Sequence, residues 1–125
     1  MRHTISDSEI YVMQVLWKNA PQTADQIVRR LQENHDWHEK TIKTMLNRLV
    51  KKGFLDFSKQ QRCYLYKPTI DEYTYQKQAS RNFIGRLYRG QISPLVAQFA
   101  EQELLTPDDI ESLKDLLNKL ENPHG

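Results

Sequence analysis

The segment Lys40 to Gly53, KTIKTMLNRLVKKG, constrains the chain more than any other because its spacing makes a helix with two unlike faces. At 100° per residue, with Ile42 at zero, Met45, Leu46, Leu49 and Val50 fall at about 300°, 40°, 340° and 80°, a single stripe that must be buried. Lys40, Thr44, Asn47 and Lys51 lie opposite, with Lys43 and Arg48 on the shoulders. No acid occurs from Lys40 to Lys52. A solvated helix face usually mixes charge signs. This one offers only cations and short hydrogen-bonding groups, which suits a phosphate-bearing partner better than water alone.

Local signals order the elements around it. Ser6-Asp7-Ser8-Glu9 is a capping box that opens a first helix through Ile10, Met13 and Trp17, ending at Asn19-Ala20-Pro21. Thr23-Ala24-Asp25-Gln26 repeats the box and starts a second helix with Ile27, Val28 and Leu31 inward, running to about Glu33. The third helix starts near Trp37 or His38, and Gly53 supplies the left-handed residue that ends it. Next come two aromatic-rich runs, Phe54–Ser58 and Cys63–Lys67, separated by Lys59-Gln60-Gln61-Arg62. They read as a β-hairpin with a basic four-residue tip, ended by Pro68. Three helices and a hairpin in this order predict a winged helix-turn-helix over residues 1–69, with the third helix in the recognition position.

The overall charge conceals this arrangement. The 125 residues carry 18 basic and 16 acidic side chains, a net charge of +2. Residues 40 to 67, however, hold Lys40, Lys43, Arg48, Lys51, Lys52, Lys59, Arg62 and Lys67 against Asp56 alone, a local excess of seven. Lys59 and Arg62 at the wing are placed for backbone phosphate.

Composition excludes much else. One cysteine, Cys63, rules out an internal disulfide and any zinc site needing two thiolates, and is expected to pack as a small apolar residue. Four unclustered glycines exclude a Walker loop and a GxGxxG turn. No run resembles a signal peptide or a membrane span, so a cytoplasmic protein is expected. His35-x-x-His38 has metal-ligand spacing, but two such histidines beside a helix start read as polar surface, and neither metal nor cofactor is expected. No nucleophile, base and orienting group recur at a useful spacing, so no enzyme is predicted.

Residues 70–125 read as three further helices. Thr69-Ile70-Asp71-Glu72 caps the first, which runs from about Asp71 to Arg89 and is broken by Gly90. Ser93-Pro94 caps the second, which runs to Leu104. Thr106-Pro107-Asp108-Asp109 opens the third. Phe83, Leu87, Leu95, Phe99, Ile110, Leu113, Leu117 and Leu120 line their apolar faces. About fifty residues make a small core alone, so this part is predicted to be a dimerisation module. The other arrangement is a fold-back that completes one monomeric domain. A two-fold dimer is also what a helix-turn-helix needs in order to read two half-sites.

The ordered motifs ISDSEIYVMQVLW, KTIKTMLNRLVKKGFL, YLYKP, FIGRLYRG, SPLVAQFAE and LKDLLNKL resemble the penicillinase-repressor family of BlaI, MecI and CopY regulators, over nearly the whole chain. The resemblance implies a dimeric winged-helix repressor on palindromic operator DNA. Its K-T-I-K-T-x-x-N-R pattern places Lys40, Thr41, Lys43, Thr44, Asn47 and Arg48 on the DNA-binding helix. Family members that respond to antibiotics are cut at an Asn-Phe bond by a sensor-linked protease, and the matching bond here is Gln98-Phe99. The copper-responsive members' C-terminal cysteine cluster is missing, since the chain closes LENPHG. The competing class is a winged-helix adaptor that binds protein instead of DNA. Such an adaptor has no use for seven excess positive charges on one helix and its wing.

Overall fold

The computed structural model describes residues 4–124. They form α1 (Glu9–Lys18), β1 (Gln22–Thr23), α2 (Ala24–Gln32), α3 (Glu39–Lys52), β2 (Leu55–Gln60), β3 (Cys63–Pro68), α4 (Glu72–Tyr88), α5 (Ser93–Glu101) and α6 (Pro107–Glu121). The chain divides into two compact units, Met1–Lys77 and Gln78–Gly125.

The first unit is a three-helix core with a wing. Its core gathers Val12, Met13 and Leu16 from α1, Ile27, Val28 and Leu31 from α2, Ile42, Met45, Leu46 and Leu49 from α3, and Leu55 from β2. The predicted stripe of the third helix is therefore the buried one. Both N-terminal boxes form. The Glu9 amide donates to Ser6 Oγ and the Ser6 amide to Glu9 Oε1, and Thr23 and Gln26 make the same reciprocal pair. His38 caps α3, its Nδ1 accepting from the Lys40 amide at 3.0 Å. At the other end Gly53 adopts φ +87°, with open space where a Cβ would stand. Gly53→Ala should therefore cost only the left-handed strain, about 1 kcal/mol in chemical denaturation.

Several boundaries differ from the sequence reading. The wing turn holds two residues, Gln61 and Arg62, because Lys59 and Gln60 continue β2 and pair with Tyr64 and Cys63. Gln61 takes φ +56° to close this tight turn. Cys63 is exposed rather than packed. A third strand was not expected: β1 pairs Gln22 with Tyr66 and Thr23 with Leu65, giving the antiparallel order β1-β3-β2. Two residues are too few to show a period. Thr69 does not cap α4, since its hydroxyl donates to the Gly53 carbonyl. Asp71 does so instead, accepting from the Thr74 amide and hydroxyl at 3.1 and 2.6 Å, and these bonds hold its carboxyl below the usual range.

In the second unit Gly90, at φ +82°, ends the α4 region, and Thr106 and Asp109 form a full capping box on α6. Ser93 lies inside α5 and makes no cap bond, and α5 stops at Glu101, three residues short of the expected end. None of the residues of α4, α5 or α6 is buried.

Candidate nucleic-acid interface

Burying Ile42, Met45, Leu46 and Leu49 fixes what α3 turns outward. Lys40, Thr41, Lys43, Thr44, Asn47, Arg48 and Lys51 are all exposed. Thr41, Thr44 and Arg48 form one shoulder, lining an open groove of about 310 Å³ with Ser8 and Trp37. Lys43 and Asn47 form the other. Helix, groove and wing thus bring every sequence-predicted DNA-binding residue into the first unit, with Lys59 on β2 and Arg62 in the turn.

Two side chains on this face have local partners that limit them. The Thr44 hydroxyl donates to the Lys40 carbonyl at 2.9 Å, so its outward lone pair serves as an acceptor and its methyl as an apolar contact. Lys43 Nζ lies 3.3 Å from Glu39 Oε1, both half-exposed. Such an i, i+4 pair contributes only about 0.3–0.5 kcal/mol, so a phosphate can draw the ammonium away.

Lys52 departs from the charge reading. Its ammonium reaches Glu9 Oε1 at 2.6 Å and the Thr4 carbonyl at 3.0 Å, on the inner side of the helix end. Glu9 is 1% exposed. The local excess includes a cation spent on the core. Burial alone would raise the Glu9 carboxyl, but hydrogen bonds from Lys52 and Ser6 and the ammonium's attraction outweigh it and hold the group below its ordinary value. The signal was present: Glu9, Val12, Met13 and Leu16 share one helical stripe.

The histidines are occupied by the fold. His38 caps α3, and His35 stacks on Trp37 at 4.1 Å with Tyr11 tilted beside it at 4.7 Å. Among the described residues no three or more of His, Cys, Asp and Glu gather where they could hold a metal ion. No described helix is long and apolar enough to cross a membrane.

The family model described as "Penicillinase repressor" matches residues 5–119. The chain is 38% identical over 117 residues to the methicillin resistance regulatory protein MecI of Mammaliicoccus sciuri, covering 94% of this chain and 95% of that protein. It is 37% identical over 118 residues to the penicillinase repressor of Bacillus licheniformis, covering 94% and 92%. A solution structure of Bacillus licheniformis BlaI, in monomeric form with the blaP half-operator, superposes with a TM-score of 0.53 and 41% identity, over 60% of this chain and 92% of that one.

Proposed function

The chain belongs to the penicillinase repressor family, and we propose that it is a cytoplasmic homodimer that binds palindromic operator DNA through α3 and represses transcription by covering a promoter. The observation that carries this reading is the exposed face of α3, which bears no acid from Lys40 to Lys51, beside a basic wing. BlaI, 41% identical, is described in complex with a half-operator. Lys40, Lys43, Arg48, Lys51, Lys59 and Arg62 serve phosphate; Thr41, Thr44 and Asn47, with Lys43, read base edges.

The helices α4, α5 and α6 are proposed to hold the two copies together. Three amphipathic helices without a buried residue, with Leu87, Leu117 and Leu120 more than half exposed, are a face still to be covered. The exposed Gln98-Phe99 bond in α5 is the proposed point of cut by a sensor-linked protease, with the Tyr88 hydroxyl donating to Gln98 Oε1 at 3.0 Å. A helical peptide does not fit a protease cleft, so cutting requires α5 to open locally.

Binding to a duplex selected from a random pool tests the DNA reading. Lys40→Ala and Arg48→Ala should each flatten the log–log salt dependence by about one unit and weaken all sequences alike. Asn47→Ala should instead change which bases are preferred. Binding of the Lys40→Ala/Arg48→Ala protein at parental strength would remove the assignment.

A further inference from the structure

Leu55 opens β2 and is buried in the core that α1, α2 and α3 build. Side chains alternate along a strand, so Phe57 and Lys59 share its face. The register sets Tyr66 opposite Phe57 and Tyr64 opposite Lys59, and directly paired residues also share a face. This face of the wing continues from buried Leu55 and partly buried Tyr66, yet it does not finish buried. Phe57 is 46% exposed and Tyr64 47%. Their rings meet edge to face at 5.2 Å, and Lys59 Nζ lies over Tyr64 at 5.9 Å.

The charge around the rings says what covers them. Lys59 stands among them and Arg62 is at the turn. Lys43 of α3 is near enough to Tyr66 to favour its phenolate, against burial and Tyr64, which together raise its pKa. Asp56, the hairpin's acid, is on the opposite face by the same alternation. An aromatic surface bordered by cations fits a polyanion whose units also carry apolar facets. The sugar–phosphate strand of a duplex is such a partner, with deoxyribose C–H edges against rings and phosphates between ammonium groups.

We infer that Phe57 and Tyr64 are contact residues for the deoxyribose edge of duplex DNA, giving the wing a non-electrostatic hold that adds to its cations. This rests on the DNA-binding reading and names a different kind of contact within it. Because sugar is the same at every base pair, the hold is independent of sequence.

A random-sequence 20-base-pair duplex, titrated by fluorescence anisotropy at several KCl concentrations, is the test. Phe57→Thr/Tyr64→Thr replaces both rings with a β-branched residue that favours strands; it should weaken binding about tenfold, as expected for uncovering most of two rings. Its log–log salt slope should equal the parent's, whereas Lys59→Ala should lower the slope by about one. Tyr64→Phe, which retains the ring, should bind within about twofold of the parent. Far-ultraviolet circular dichroism of each variant confirms the fold. Parental affinity in the double-ring variant overturns the inference, as does a slope lowered to that of Lys59→Ala, which would make the rings mere supports for the cation. A 20-nucleotide oligo-dT that outcompetes the duplex also overturns it, in favour of base stacking on a single strand. So does a change in sedimentation without a change in affinity, which would assign the rings to a second copy. If Lys40→Ala/Arg48→Ala also binds this duplex as the parent does, the DNA reading itself fails, separately from the wing.

Discussion

Lys52→Ala should destabilise the protein by about 3 kcal/mol in urea at pH 7, because it strands the Glu9 carboxylate inside the core. Glu9 is almost wholly buried, its Oε2 has no hydrogen-bond partner among the described residues, and the Ser6 bonds that remain on the carboxylate bring no positive charge. Replacing both partners, as Glu9→Leu/Lys52→Met, should recover most of the loss, since apolar groups of similar volume remove the unpaired charge along with the pair. The pH dependence should reverse between parent and variant. In the parent the folded Glu9 pKa lies below its ordinary 4.5. Its contribution is therefore complete above that value and is lost as pH falls through the lower folded value. In Lys52→Ala the main force lowering the carboxyl is gone and burial pushes it up, so acidification should relieve part of the defect. Denaturation midpoints at pH 7 and pH 4 measure both. A Lys52→Ala protein as stable as its parent at pH 7 would show that the pair does not hold the end of α3.

Leu117→Asp should shift the protein from dimer to monomer in sedimentation and lower affinity for a selected palindromic duplex about a hundredfold or more. Leu117 is 58% exposed on α6, so the carboxylate has no core to disturb within one copy. In a dimer it would be desolvated without a partner, which an interface centre does not tolerate. The large loss on the palindrome is one of linkage: once one recognition helix is seated, a tethered second helix faces its half-site at high effective concentration. Affinity for a duplex holding one half-site should stay at the parental value. A Leu117→Asp dimer, or a monomer that binds the palindrome normally, would return α4–α6 to the reading in which they complete a single copy.

Legibility from sequence followed the range of the interaction. Thr23 with Gln26, Thr106 with Asp109, and Gly53 act within four residues, so their roles could be read from spacing. The buried stripe of α3 was equally plain, and with it the exposed DNA-binding candidates opposite. Pairings across many residues were not. Glu9 and Lys52 are 43 positions apart, and each had a sufficient local explanation, one as a cap and one as a surface cation. Lys59 reads as turn because polar residues between aromatic runs resemble a loop, while strand register depends on the opposing strand. The aromatic wing face was hidden for the same reason: only register reveals that Phe57, Tyr64 and Tyr66 stand together.

The Glu39–Lys43 pair on the recognition helix bears on how a repressor finds its site. Glu39 repels every phosphate backbone equally, whatever the base sequence, and a genome presents vastly more wrong sites than right ones. A carboxylate there lowers affinity for right and wrong duplexes by the same factor, so the ratio between them rests on the base contacts alone.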